Sequence, residues 1–257
     1  MELLDTHFLG AFGLVLARTS ALVVAAPLLG QGVGSSSARI ALIFGVAYVL
    51  HLALGEPLPP GVDVAAYAAM LLREVLLGLF LALCLQLLVL AAHVGGEVIG
   101  LEMGFQMASQ VDPESGVSLP LVSRVHETLF LLALLSVDGH HWLLRALSDS
   151  FGRAPIGSFA IDADLGPFLS RLFAEMFAAG LAFAAPVMVL LALTSVLVGL
   201  LSRAVPHINV LELGFTLRIG LALVAMFVFA PLLAPALEGL LGGFRGWLGG
   251  ALDALEA

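Results

Sequence analysis

Six apolar runs separated by polar links organise the sequence. The first, Phe8 to Leu29, is interrupted by Arg18 and gives way near Pro27 to a glycine- and serine-rich link. The second, Ile40 to Gly55, is 16 residues long, short of the roughly 20 that a spanning helix needs. After the proline-rich link EPLPPG and the pair Arg73-Glu74 comes the third run, Val75 to Gly96, with 22 residues free of acidic and basic charge. The fourth, Leu121 to Leu147, carries Arg124, His126, Glu127 and the cluster Asp138-Gly139-His140-His141. A long polar region reaches from Arg145 to about Arg171. The fifth run, Met176 to Ser202, has 27 uncharged residues with Pro186 inside it, and the sixth, Ile219 to Leu237, has 19. A polar turn, SRAVPHINVLELGFTLR, joins those two. This pattern predicts an all-α integral membrane protein of about six hydrophobic, kinked helices. The third, fifth and sixth read as ordinary spans. The rest are short, or hold ionisable groups that lipid penalises by about 2.5–3.5 kcal/mol each, so their charged faces must meet protein or water. That points to an obligate complex.

The link between the two most hydrophobic halves, Gly95 to Arg124, carries Glu97, Glu102, Asp112, Glu114 and two prolines. Gly96, Gly100 and Gly104 recur every four residues, with Ala108 next. On a helix this spacing makes a stripe where another backbone can approach closely. Asp112-Pro113 breaks the pattern, since proline disfavours helical geometry just before it. The expectation is a glycine-faced helix, an irregular loop rich in Met, Gln and Phe, and a helical restart near Pro120. A polar loop between apolar runs suggests passage or binding rather than catalysis. The link falls on the same side as the arginine-flanked turn around Arg203 and Arg218 in a simple six-span count, yet it is acidic, which favours burial within protein.

Composition sharpens the class. Of 257 residues, 61% are hydrophobic and 11% charged, against about 25% charged in soluble domains; mean hydropathy is +1.11. All ten basic residues are arginine and the net charge is −9, which argues against nucleic acid as a partner. Cys84 is the single cysteine, so no intrachain disulfide can form; it reads as a small apolar filler. The acidic start MELLDTHF is unlike a cleavable signal, and residue 1 is expected to belong to the mature protein.

Candidate chemistry is sparse. Gly95, Gly96, Gly100 and Gly104 suit helix packing or a hinge. Arg18, Arg73, Glu74 and Glu97 suit interhelical charge pairs, with a proton path as the sharper reading. Asp138 with His140-His141 suggests metal ligands, but adjacent helical side chains point about 100° apart, which favours a helix-end or interface role and no metal. No nucleophile–base order, phosphate loop or cofactor motif is present, so the chain is read as no enzyme and as binding no cofactor.

The segment GEVIGLEMGFQMASQVDPESG, followed by LPLVSR and then by DGHHWLLRALSDSF and PIG, resembles the FliR family of flagellar export-gate proteins. So do Arg18, Pro27 and Arg39, and the turn formed by Arg203, Pro206, Asn209 and Gly214. The resemblance covers nearly the whole chain; Ser37 stands where the family usually has proline. It implies a non-enzymatic core subunit of the type III export gate, in the bacterial inner membrane at the flagellar basal body. Its implied partners are FliP-like, FliQ-like and FlhB-like subunits, membrane lipid and exported unfolded flagellar proteins. It further implies a FliP-like part over 1–160 and a FliQ-like helical hairpin with a tail over 161–257. A plug loop over about 105–119 is implied, with Met103, Phe105, Gln106, Met107, Val111, Asp112 and Pro113 at the channel. For the Pro206–Asn209–Glu212 turn two readings stand side by side: a contact for the FlhB-like subunit, which the resemblance implies, or simply a hairpin turn. An injectisome subunit is the nearest rival. A small-solute transporter would need an internal repeat, and the two parts show none. An intramembrane enzyme would rest on Asp138, His140 and His141.

Overall fold

A computed structural model describes residues 6–27, 35–55, 58, 61–104, 121–158, 165–205, 210–232, 235 and 238–239. Among them the chain is helical: α1 (Thr6–Ala25), α2 (Ser36–Leu54), α3 (Val64–Met103), α4 (Leu121–Ser136), α5 (Gly139–Arg153), α6 (Leu165–Ala204) and α7 (Val210–Phe229), which runs into a 3₁₀ turn at Ala230–Leu232. Five of these, all but α4 and α5, are long and apolar enough to cross a membrane.

Local chemistry sets several boundaries. Asp63 starts α3 by accepting the Ala66 N–H on its carboxylate at 2.8 Å, a side-chain cap for an orphan donor of the first turn. Gly55 ends α2 at φ 63°, its N–H donating to the His51 carbonyl, the left-handed stop that glycine adopts without strain. The fourth apolar run is two helices rather than one, because Asp138 sits at φ 58° between α4 and α5. The third and fifth runs are parts of longer helices. α3 and α6 have 40 residues each, so each is about 60 Å long at about 1.5 Å per residue, twice the ~30 Å hydrocarbon core. Apolarity marks the segment that prefers lipid; backbone hydrogen bonding carries the helix past it.

Two compact units form, and they interleave along the chain. Unit 1 takes residues up to Leu87 together with Asp138–Leu172; unit 2 takes Leu88–Val137 and Phe173–Leu240. In unit 1, α1 and α2 run antiparallel, with Phe8 and Phe12 both packed edge-on to His51 at ring separations of 4.4 and 5.8 Å. The Tyr67 hydroxyl donates to the Gly10 carbonyl, and Gln86 donates to the Ala25 carbonyl at 2.8 Å, so α3 is tied to both ends of α1. In unit 2, Ile99, Met103, Val122, Val187, Leu191 and Met226 form a core between the end of α3, α4, α6 and α7. The outer faces of α6 and α7 remain apolar and uncovered, with Leu193, Val196, Leu197, Phe227 and Val228 all more than half exposed. Lipid or neighbouring apolar protein is the environment such faces require.

Candidate functional site

The glycine-rich end of α3 is held by backbone-to-backbone packing. A Cβ on Gly95 would stand 2.7 Å from the Gly180 carbonyl oxygen of α6, and a Cβ on Gly180 would meet the Ala91 carbonyl. One residue on, a Cβ on Gly96 would stand 2.5 Å from Ser123 Cα of α4. Adjacent residues lie about 100° apart around a helix, so Gly95 serves the contact with α6 and Gly96 that with α4. Gly100 faces Val122 at an ordinary distance of 3.6 Å, and among the described residues nothing there demands glycine. Gly104 ends the helix at φ 85° beside the Phe215 ring. The fourfold stripe is thus Gly96 and Gly100 against α4, with Gly104 acting as the stop and the helix ending well before Asp112-Pro113.

A polar cluster lies beside this packing. Ser123 donates to Glu97 at 2.6 Å. His93 sits 3.3 Å from Glu127 and 3.8 Å from Glu97. All three ionisable groups are part-exposed, so the cluster joins α3 to α4 within reach of solvent or a partner. Glu97 therefore has intrachain partners. Met103, counted with the plug in the sequence reading, is fully buried in the unit 2 core. Phe105, Gln106, Met107, Val111, Asp112 and Pro113 lie outside the described residues, as do Pro206 and Asn209. Arg203 is exposed in the last turn of α6, where a cation suits the helix C-terminus; Glu212 is exposed in the first turn of α7, where an anion suits the N-terminus.

In unit 1 the charged residues embedded in the apolar runs meet. Arg18 Nε donates to Glu74 at 2.6 Å, its other nitrogens donate to Ser150 Oγ at 3.1 Å and the Ala154 carbonyl at 3.0 Å, and its guanidinium lies 3.9 Å from the Phe151 ring centroid. The second Glu74 oxygen accepts the Gly157 N–H at 2.7 Å. Both side chains are fully buried. Arg73 donates to the Gly157 carbonyl at 2.9 Å. Gly157 is at φ 77°, with the Met70 side chain where a Cβ would go. α1, α3, α5 and the Pro155-Ile156-Gly157 turn are thereby pinned by one hydrogen-bonded ion pair. The sequence flagged Arg18, Arg73 and Glu74 as charge-pair candidates. It offered no sign of Ser150, Phe151 or the turn as their partners, since more than 130 residues separate Arg18 from Ser150; the PIG turn itself was the one available hint.

Asp138, His140 and His141 come together at the start of α5, one ligand atom of each within 4.8 Å of the others. The left-handed backbone at Asp138 returns its carboxylate to within 3.3 Å of His141 Nδ1. By donor type this group could hold a divalent transition metal, an arrangement that helical spacing alone did not suggest.

Comparison with known proteins adds a family. Residues 9–243 match the family described as bacterial export proteins, family 1. The chain is 33% identical to the flagellar biosynthetic protein FliR of Escherichia coli K12 over 226 residues, covering 87% of this chain and 85% of that protein. It is 31% identical to the protein of the same name from Bacillus subtilis over 223 residues, 85% of each. It is also 29% identical over 217 residues to the surface presentation of antigens protein SpaR of Shigella flexneri, covering 83% of this chain and 82% of that one.

Proposed function

The chain belongs to family 1 of the bacterial export proteins, the family of flagellar biosynthetic protein FliR, and from that membership we propose that it is a core subunit of a flagellar type III protein export gate. Its role in this reading is mechanical: it helps to form a channel for unfolded flagellar proteins and to close it. It sits in the bacterial inner membrane at the flagellar basal body, with FliP-like, FliQ-like and FlhB-like subunits around it. Residues 1–160 act as the FliP-like part and 161–257 as the FliQ-like hairpin.

The observation that carries the proposal is the family match over residues 9–243, which takes in both the glycine-packed end of α3 and the segment that follows it. Several features support it. Five long apolar helices suit a membrane protein, and the uncovered apolar faces of α6 and α7 suit neighbours of similar character. The close contacts at Gly95, Gly96 and Gly180 give the segment after Met103 a rigid root. From that root the segment 105–119 plugs the channel, with Phe105, Met107 and Val111 as apolar contacts; flexible thioethers and aromatic rings suit a seal around varied cargo.

Co-expression tests the proposal. The chain is purified with FliP-like and FliQ-like partners and the mass of the particle measured. A defined hetero-oligomer containing one copy of this chain is the expected result; a stable monomer or homodimer that ignores those partners refutes it. The likeness to SpaR favours, as second reading, an injectisome subunit of the same mechanics. Complementation of a flagellar export mutant separates the two by client.

A further inference from the structure

Unit 2 contains a cavity of about 190 Å³ between α4, α6 and the end of α7. Among the described residues its walls are apolar side chains, including Leu129, Phe183, Val187, Met226 and Phe229, with a single polar side chain, His126. His126 is only 4% exposed, and neither of its ring nitrogens has a hydrogen-bond partner among the described residues. An unsatisfied buried polar group is costly, so a partner of suitable chemistry is expected in the adjoining space.

One of the residues in the wall has a backbone carbonyl that lacks its usual helical donor. Pro186 lies inside α6 and lacks the N–H that would have bonded to the Ala182 carbonyl four residues back. Both Ala182 and Pro186 line the cavity. Burial holds the imidazole below its ordinary pKa, so at neutral pH it presents one N–H donor and one bare nitrogen acceptor. The site is therefore an apolar chamber with one hydrogen-bond acceptor, one donor and a neighbouring carbonyl.

Size and chemistry narrow the ligand. An engineered dry cavity of about 150 Å³ accepts benzene, so one of about 190 Å³ admits a six-membered ring with one substituent. A charged ligand would be left without a counter-ion there, and a purely apolar one would leave His126 unsatisfied. We propose that the His126 cavity is a binding site for a neutral, phenol-sized molecule whose hydroxyl donates to the bare imidazole nitrogen of His126. The phenol ring belongs either to a free small molecule or to a tyrosine side chain of a neighbouring polypeptide.

The test uses the full chain in lipid nanodiscs with ¹⁵N-labelled histidine. Phenol is titrated against toluene, its isostere without a donor, and affinity is read from the saturable shift of the His126 ring nitrogens. Phenol is expected to bind about tenfold more tightly than toluene, the worth of one well-placed hydrogen bond. His126→Leu should abolish that preference, read by competition with a fluorinated phenol. Ala182→Leu, which fills the cavity and leaves the imidazole in place, should abolish binding, and this keeps the test decisive if the His126 variant does not fold. Equal affinities for phenol and toluene, a preference that survives in His126→Leu, or binding unchanged by Ala182→Leu would each overturn the proposal. Repeating the titration on the chain in its assembled complex identifies the source. Retained binding points to a free molecule. A His126 signal already shifted and insensitive to phenol points to a neighbour's tyrosine.

Discussion

Neutralising one member of the Arg18–Glu74 pair tests the main joint of unit 1. Both side chains are fully buried, so Glu74→Gln leaves a guanidinium without its counter-charge in a region that excludes water. Breaking a buried pair from one side costs about 3–5 kcal/mol. With about 2–4 °C per kcal/mol for a chain of this size, the melting temperature in lipid nanodiscs should fall by about 6–20 °C. Arg18→Met should cost a similar amount, because it leaves the Glu74 carboxylate buried and the Ala154 carbonyl without its 3.0 Å donor. The double variant Arg18→Met/Glu74→Leu separates charge from packing. It has no uncompensated charge, but it still orphans the Ala154 carbonyl and the Gly157 N–H, each worth about 1–3 kcal/mol. Its loss of about 2–6 kcal/mol should therefore be comparable with that of one single variant and below the roughly 6–10 kcal/mol that addition predicts. A melting temperature for Glu74→Gln within a degree of the parent, or a double variant whose loss is the sum of the singles, would refute this account of the pair.

Four further outcomes follow from the same geometry. Gly180→Leu should prevent unit 2 from packing, since even a Cβ there meets the Ala91 carbonyl backbone; near-parent thermal stability in that variant would count against the α3–α6 contact. Gly157→Ala should cost about 1–3 kcal/mol through its left-handed backbone and the Met70 side chain, measured by the same melts. His126 has its folded pKa lowered from 6.5 by burial; below about pH 6.5 the unfolded chain binds the extra proton and the folded chain does not, so stability should fall as pH drops through that range. His126→Leu should flatten that part of the profile, and an unchanged slope would show that His126 does not cause it. If segment 105–119 is the plug proposed above, deleting it should raise ion leak through the assembled complex in a conductance assay, and an unchanged leak would refute that proposal.

What could be read from the sequence alone was what depends on neighbours along the chain. Lipid-compatible runs, the glycine spacing of Gly96 and Gly100, and the restart of helix just after Pro120 all express local periodicity and backbone preference. The family was legible for a related reason, because its motifs are short segments in a set order. Helix lengths were not, since α3 and α6 extend through charged and polar residues such as Glu74 and Arg171 that hydropathy treats as ends. The break at Asp138 was hidden because an αL aspartate has no distinctive spacing.

Only tertiary structure decided the partners. Arg18 finds Glu74, Ser150 and the Ala154 carbonyl from 56, 132 and 136 residues away, and a buried charge in an apolar run declares that it needs such partners without naming them. Gly95 and Gly96 look alike in sequence but meet different helices, because one residue turns the helix by about 100°. The cavity beside His126 is likewise a matter of packing: a histidine in one apolar helix and a proline in another become one site when the fold brings them to the same wall.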